Sequence, residues 1–380
     1  MKFDSVKFNN KFEEWEHERI EFFNLTLLVG VSGVGKTQIL RSISLLKSIV
    51  EGKSVNGGEW EAEFTTSDGN KYTWEGAYEL ISSKGTLALD FLNLVDNDEK
   101  AVKPRILFEK LYQNGKLIID RNENEIKLNN ILTPKLSPHQ SVLYILKEEG
   151  DVKSASDGFK MVVLRDYTER EHITFGRYNI EKLKTKYKTL DEIKESEVHT
   201  VYKLALVYEN VRSVFDQIVE KFAEVFPQIE EVKVDPYKDD ELPILFEAPI
   251  IQIKERGVNK WIPHNRISSG MLRTLLHISE MMLWKSGTVM LIDEFENSLG
   301  VNCIDTLTED LVFDNPTIQF IATSHHPYII NKIPYEYWKI VTRHGGTIKT
   351  FDANQFNLGE TKHERFMTLV NLPEYRNGIQ

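Results

Sequence analysis

Residues 25–41 contain the residue types with the most chemical potential in this chain. A short apolar run of β type leads into a glycine-rich turn, and a helical pattern follows at once. The polar and glycine residues of that turn are Gly30, Ser32, Gly33, Gly35, Lys36 and Thr37. Glycines let successive backbone N–H groups turn inward around an anion, and the following helix adds the positive end of its dipole. The stretch predicts a phosphate-binding loop, in which Lys36 reaches the β- and γ-phosphates of a nucleoside triphosphate and Thr37 ligates Mg²⁺.

A second apolar run, within VMLIDEFEN, ends in the adjacent acids Asp293 and Glu294. The run is typical of a buried parallel strand, and ligands bind beside the carboxyl ends of such strands. We expect Asp293 to hold Mg²⁺ through water while Thr37 is a direct ligand. Glu294, one residue on, suits the general base that polarises an attacking water.

Two more segments have features that suit contact with a phosphate. ISSGMLRTLL, residues 267–276, places small residues at the start of a helix, where hydroxyl, N–H groups and helix dipole aim at an anion. Taken alone, Ser-Ser-Gly is also a common helix N-cap. IQFIATSHHP carries a third apolar run that leads into His325, and the adjacent His326 would point elsewhere.

In this order, the four segments resemble the ABC-type ATPases of the SMC/RecF-like branch. ISSGMLR is similar to the family signature LSGGxxR, with Ser269, Gly270 and Arg273 at matching positions. The resemblance implies that the signature of one subunit completes the nucleotide site of another, and that His325 is the switch histidine for the γ-phosphate. It also implies a D-loop at ENSLG, residues 296–300, although Gly300 replaces the usual ending.

The glutamine that senses nucleotide in this family has no obvious counterpart in the sequence. Gln140, in SPHQSVLYIL, is the candidate nucleotide-binding residue. A polar residue at the start of a helix explains Gln140 equally well, so both interpretations stay open.

The resemblance also implies cofactors, partners and a function. The implied cofactors are ATP and Mg²⁺, and the implied assembly is a homodimer or higher even-numbered oligomer with ATP between subunits. The chain looks most like stand-alone bacterial RecF- or OLD-like ATPases, several of which serve in anti-phage defence with a nuclease partner. OLD proteins carry a Toprim nuclease, for which too little chain follows His325. We therefore expect a Mg²⁺-dependent ATPase that controls a separate effector protein. The resemblance implies that this effector is a nuclease.

Two other functions stay open at this point. An ATP-locked scaffold would hold a toxin or nuclease inactive with little turnover, and a RecF-like ATPase would act in DNA repair. The net charge of −11 argues against broad duplex binding, because proteins that coat nucleic acid are usually basic. Alternating lysines in EKLKTKYK, residues 181–188, leave a local nucleic-acid groove open, with a solvated surface segment as the alternative.

The composition indicates a cytoplasmic protein without membrane contact. No apolar stretch approaches the roughly 20 residues that a membrane span needs, and MKFDSVKFNN lacks the apolar core of a signal peptide. The single cysteine, Cys303, fits a reducing compartment.

The predicted fold is α/β: an ABC-type P-loop nucleotide-binding domain with a mixed β lobe and an inserted helical arm. Alternating runs predict two antiparallel strands in the first 22 residues and hairpins at 59–75 and 106–128. An apolar stripe from about 190 to 226 predicts a helix roughly 50 Å long, with the stripe packed in a core. The expected division is 1–146 and 243–355 for the two parts of the ATPase domain, 147–242 for the helical insertion and 356–380 for a tail.

Overall fold

The computed structural model describes most of the chain and divides it into two compact units. The described residues are 1–81, 103–166, 180–235, 249–296, 317–359, 361–376 and 378. The first unit comprises Met1–Arg165, Gly287–Asp293 and Gln319–Gln380, and the second comprises Asp166–Ser286 and Glu294–Ile318. Cys303 and residues 297–300 of the predicted D-loop lie outside the described residues.

The first unit is built on one large mixed sheet. Its strands are β1 (Lys2–Asn10), β2 (Trp15–Glu21), β3 (Leu25–Val29), β4 (Gly58–Thr65), β5 (Lys71–Tyr78), β6 (Ile106–Gln113), β7 (Lys116–Asn122), β8 (Ile126–Leu128), β9 (Ile131–Leu132), β10 (Val162–Asp166), β14 (Val289–Asp293), β15 (Gln319–Ser324), β16 (Trp338–His344) and β17 (Thr347–Asp352). Across the described part of the sheet, their order is β10-β14-β15-β3-β16-β17-β2-β1-β4-β5-β6-β7-β8-β9.

Helices occur in both units. Those of the first unit are α1 (Lys36–Val50), α2 (Val142–Ile145), α3 (Gly150–Lys160), α9 (Pro327–Lys332), α10 (Lys362–Asn371) and α11 (Pro373–Arg376). Those of the second unit are α4 (Ile180–Lys186), α5 (Leu190–Glu195), α6 (Thr200–Asn210), α7 (Arg212–Val225) and α8 (Ser269–Leu283). The second unit also has a small antiparallel sheet of β11 (Ile229–Asp235), β12 (Ile250–Glu255) and β13 (Ile262–Pro263).

The parallel part of the large sheet brings several strand ends to one edge. β3 pairs with β15 and β16, and β14 pairs with β15, all in parallel. Every residue of β3 is buried, as in a parallel strand covered on both faces. In register, Val29 lies opposite Ser324, and Ile292 lies opposite Ala322. The later strands β14, β15 and β16 thus lie in the same sheet as the phosphate-loop strand β3.

The antiparallel part of the sheet confirms the predicted hairpins. β4 and β5 pair across a turn in which Gly69 has a φ of 83°. β6 and β7 pair across Asn114 and Gly115, with φ values of 51° and 81°, as a tight two-residue hairpin requires. β1 and β2 form the antiparallel pair expected in the first 22 residues.

Helix α3 belongs to the first unit, whereas the sequence division placed it in the helical insertion. Val152, Ala155 and Phe159 of α3 are buried in the core that also contains Phe3 and Phe64. The Phe159 ring makes edge-to-face contacts with both of those phenylalanines. This apolar burial holds α3 on the β lobe, and the second unit begins after it, at Asp166.

The single long helix predicted at 190–226 is wrong, because the chain forms three helices there. Thr189 begins α5 with a reciprocal capping box, and the His199 side chain accepts the N–H of Val201 at the start of α6. Val211, with a φ of −137°, separates α6 from α7. The apolar stripe itself is core, as expected: buried members include Leu204, Phe215, Ile218 and Phe222.

One of the alternating lysines predicted for a local basic groove is paired with acids. Lys184 of the alternating lysines pairs with Glu181 and Glu209 at 3.1 and 3.0 Å. These acids offset the charge that a basic groove would need at that position.

Among the described residues, no helix has both the length and the apolar character needed to cross a membrane.

Candidate nucleotide-binding site

The loop between β3 and α1 has the backbone conformation that the glycines predict. Gly33 and Gly35 have φ values of 86° and 97°, a region that side chains with a Cβ rarely adopt. A Cβ on Gly30 would lie 2.7 Å from the carbonyl oxygen of Val341, and one on Gly35 would overlap the Ile348 side chain. Close packing therefore requires glycine at position 30, conformation favours it at position 33, and both reasons apply at position 35.

Lys36 begins α1 and turns its side chain back over the loop. Its ammonium donates to the carbonyl oxygens of Gly30 and Val31 at 2.8 and 3.1 Å. Ser32 and Gly33 are exposed between those contacts and the helix start. A cation thus lies at the same loop whose N–H groups and helix dipole favour an anion.

Asp293 ends β14 and receives two hydroxyl donors. Thr37, on the first turn of α1, donates to its Oδ2 at 2.8 Å. Thr323, on β15, donates to its Oδ1 at 2.6 Å. The contact between Thr37 and Asp293 joins the two residues that the sequence predicted for Mg²⁺, while Thr323 was not predicted. The sequence feature that could have identified Thr323 is its position near the end of β15, the strand that leads into His325.

Glu294 and His325 follow strand ends directly. Glu294 has a φ of 48°, in the left-handed region that costs a non-glycine residue free energy and that is frequent at functional sites. His325 is exposed just after β15. His326 has a different local role, because its Nδ1 accepts the N–H of Tyr328 at 3.2 Å and caps α9.

The signature segment begins a long helix in the second unit. Ser268 is the N-cap of α8, and its Oγ accepts the N–H of Met271 at 3.3 Å. Ser269 is exposed in the first helical position, and Gly270 follows it. Arg273 lies one turn further and is half-buried. The cap interpretation thus holds for Ser268, and it leaves Ser269 at an exposed helix N-terminus.

The structure does not bring Gln140 to the phosphate-binding loop. The neighbouring His139 carbonyl accepts a hydrogen bond of 3.0 Å from Ser54, which lies just beyond the carboxyl end of α1. The loop lies at the other end of α1, and a helix of 15 residues is about 22 Å long. Gln140 immediately precedes Ser141, the N-cap of α2, so its position fits the helix-start interpretation.

A buried ion pair holds the segment that contains Gln140. Arg121 donates to the carbonyl oxygens of Gln140 and Ser137 at 2.7 and 2.9 Å. Arg121 also pairs with Glu109, whose carboxylate accepts from Ser141 Oγ and from the N–H of Val142. Burial raises the pKa of the Glu109 carboxyl, and Arg121 and these hydrogen bonds oppose that rise. The network is therefore structural and lies away from the phosphate loop.

Comparison with known families identifies the family of the chain. Residues 25–331 match the family described as "AAA domain, putative AbiEii toxin, Type IV TA system". The chain belongs to this family. The match spans the phosphate loop, the signature segment, Asp293-Glu294 and His325 in the order that the sequence predicted. The family description names an AAA domain, a type of ATPase domain, so nucleotide binding is a property of the family.

One solved SMC head shows the same fold at low sequence identity, and two further SMC heads are similar over most of their length. The SMC head bound to the C-winged helix domain of ScpA matches with a TM-score of 0.52 and 13% identity, over 92% of this chain and 98% of that one. An SMC head domain from Thermotoga maritima matches with a TM-score of 0.44 and 13% identity, over 93% and 99% of the chains. An Smc head from Pyrococcus furiosus, with an extended coiled coil and bound to the C-terminal domain of ScpA, has a TM-score of 0.44 and 13% identity, over 92% and 96%. The first match confirms the predicted ABC-type P-loop fold. Comparison with curated proteins gives no match.

Proposed function

We propose that this protein binds ATP with Mg²⁺ at residues 30–37 and hydrolyses it between two copies of the chain, thereby controlling a separate effector in bacterial anti-phage defence. The observation that carries this proposal is the contact between Thr37 and Asp293 at the mouth of the phosphate loop. A hydroxyl and a carboxylate oxygen 2.8 Å apart form a donor set that suits Mg²⁺, a cation that prefers oxygen ligands. The glycine backbone and Lys36 beside them suit a triphosphate.

Each side chain of the site has a role that its position supports. Thr37 would ligate the ion directly, and Asp293 would hold it through water. When bound, Mg²⁺ neutralises phosphate charge and orients the leaving group. Glu294 would take the proton of the attacking water, and Lys36 and His325 would donate to phosphate oxygens.

The second copy would supply Ser269, Gly270 and Arg273 of its signature segment. The exposed Ser269 at the N-terminus of α8 supports this role, because its hydroxyl and the positive end of the helix dipole favour an anion. Because ATP would form part of the interface, dimerisation should depend on nucleotide. A homodimer is the smallest assembly that satisfies this arrangement, and higher even-numbered assemblies satisfy it too.

A separate effector is supported by what related proteins do. The family description names a toxin and a type IV toxin–antitoxin system. The solved SMC heads with bound ScpA domains are examples of this fold with a protein partner. The same family description favours a second candidate function, in which ATP locks the dimer as a scaffold that holds a toxin or nuclease inactive with little turnover.

Two variants test the ATPase proposal. Lys36→Ala should weaken ATP binding, because it removes the loop cation. Glu294→Gln should bind ATP, fail to hydrolyse it and accumulate as a dimer in light scattering with Mg²⁺ and ATP. Wild-type turnover by Glu294→Gln would show that Glu294 is not the base. A wild-type protein that binds ATP and dimerises but turns over very slowly would favour the scaffold.

A further inference from the structure

We propose that the C-terminal segment, residues 361–376 and 378, is a positioning element that holds the phosphate-binding loop in its anion-binding shape. The proposal rests on the proposed function, because it concerns the same ATP site. It adds residues from the far end of the chain to a site whose sequence motifs all lie between residues 30 and 325.

The buried side chain of Val34 anchors the phosphate loop by packing. Val34 is fully buried, although Ser32 and Gly33 just before it are exposed. Its Cγ2 would lie 3.0 Å from a Cβ on Gly30, and its Cγ1 would lie 3.1 Å from a Cβ on Gly378. Val34 is therefore held between the first residue of the loop and a residue of the C-terminal segment.

Gly378 is itself held by the central sheet. Its carbonyl oxygen accepts the N–H of Arg343 on β16 at 2.6 Å. The same strand contacts the loop directly, since the Val341 carbonyl lies against Gly30. A Cβ on Gly378 would also lie 3.2 Å from the carbonyl oxygens of Glu374 and Tyr375, so this turn leaves little room for a side chain.

The rest of the segment anchors this contact in the first unit. Helix α11 packs on α10 and on β16, and α10 packs on α9, the helix that follows His325. Leu369 of α10 is fully buried, and Thr361 and Glu364 cap the start of α10 reciprocally. The segment thus contacts both the loop and the helix next to the predicted switch histidine.

This packing has a consequence for nucleotide binding. The loop binds anions only while its N–H groups point to a common centre. Displacing Val34 would let the backbone around Gly35 rotate and would spread those N–H groups. The segment should therefore strengthen ATP binding without touching ATP, as a preorganising contact does.

The test compares two glycine substitutions by equilibrium titration with Mg²⁺ and a fluorescent ATP analogue. Gly378→Val would push on Val34, whereas Gly150→Val is a matched control, because no atom lies within 4 Å of a Cβ on Gly150. We expect the Kd of Gly378→Val to rise at least about tenfold and that of the control to change less than about twofold. Wild-type affinity in a folded Gly378→Val would overturn the proposal.

A double-mutant cycle separates this contact from a general loss of structure. Val34→Ala removes the methyl groups that a larger residue 378 would meet, so Gly378→Val should cost less ATP affinity in the Val34→Ala background than in the wild type. Strictly additive effects would overturn the proposal. If Gly378→Val does not fold, Gly378→Ala places its Cβ against the same atoms and replaces it in the cycle. Failure of the wild type to bind ATP would instead overturn the proposed function.

Discussion

Thr37 donates a hydrogen bond of 2.8 Å to Asp293 across 256 positions of sequence. The first residue lies in the first turn of α1, and the second ends β14. Thr323 on β15 fixes the other carboxylate oxygen of Asp293. The carboxylate is thus oriented by hydroxyls from two different elements, with one oxygen directed at the phosphate loop.

Thr323 should act on Mg²⁺ affinity through the orientation of Asp293. Thr323→Val keeps the side-chain shape but removes the hydroxyl that donates to Asp293, leaving the carboxylate less constrained. We expect about tenfold weaker Mg²⁺ binding in the presence of ATP, equal to about 1.4 kcal/mol for one lost hydrogen bond to a charged group. The measurement is a Mg²⁺ titration monitored by a fluorescent ATP analogue. Thr323→Ser restores the donor and should restore affinity, and a Thr323→Val variant with wild-type Mg²⁺ affinity would contradict this role.

The buried His17 should make stability depend on pH. Burial lowers the pKa of His17 from 6.5 to about 4, against a hydrogen bond to the Glu18 carbonyl that raises it. The unfolded chain binds this proton below about pH 6.5 and the folded chain does not until about pH 4, so stability falls as the pH drops through that range. Between pH 7 and pH 5 the free energy of unfolding should fall by about 2 kcal/mol from this group.

Urea unfolding at both pH values checks the contribution of His17. In His17→Gln the part of the pH dependence due to this group should disappear, although the variant loses a neutral ring that contacts Ser42 at 2.9 Å. His344→Gln is the control, because His344 is exposed at the end of β16, and it should keep the wild-type pH dependence. The same pH dependence in His17→Gln as in the wild type would rule out His17 as its source.

The Glu109–Arg121 pair should contribute to stability and leave the phosphate chemistry unaffected. Glu109 is fully buried and accepts from Trp74, Ser141 and Val142 as well as from Arg121. Glu109→Ala would leave the guanidinium buried without its carboxylate, which typically costs about 3–5 kcal/mol. Chemical denaturation measures this loss. Glu125→Ala is the comparison, because the side chains of Glu125 and its partner Lys127 are 40% and 38% exposed, and it should have little effect.

A substitution of Gln140 checks its position relative to the nucleotide. Because Gln140 lies by the carboxyl end of α1, Gln140→Ala should leave the Kd for ATP within about twofold of the wild type. Equilibrium titration with the fluorescent ATP analogue measures it. A loss of ATP affinity comparable to that of Lys36→Ala would show that Gln140 reaches the nucleotide after all.

Local signals explain which parts of the structure could be predicted. The phosphate loop has its strand, glycines and helix in one continuous stretch, so sequence spacing alone identifies it. The hairpin at Asn114-Gly115 is equally local. The start of the helical stretch near residue 190 is also local, since Thr189 and Glu192 have the spacing of a capping box. The apolar stripe continues across the breaks before α6 and α7, and a single helix was predicted in their place.

The errors and omissions come from contacts that sequence spacing does not encode. Gln140 was a candidate because of its residue type, but its place depends on how the segment before α2 packs beside the end of α1. Thr323 was not predicted, because the two histidines are the more reactive side chains of its segment. Its hydrogen bond to Asp293 depends on the register of β14 and β15. The contact of Val34 with Gly378 joins distant parts of the chain, and no motif marks it.

A mixing experiment tests most directly whether two chains share one ATP site. Lys36→Ala disables the phosphate loop of a chain, and Ser269→Arg blocks its signature, so each variant alone should be inactive. Combined in equal amounts, they form heterodimers in which one site has an intact loop from one chain and an intact signature from the other. We expect ATP hydrolysis to return to about a quarter of the wild-type rate, because half of the dimers would hold one working site. A mixture as inactive as either variant alone, with both variants folded and able to dimerise, would contradict a site completed by a second chain.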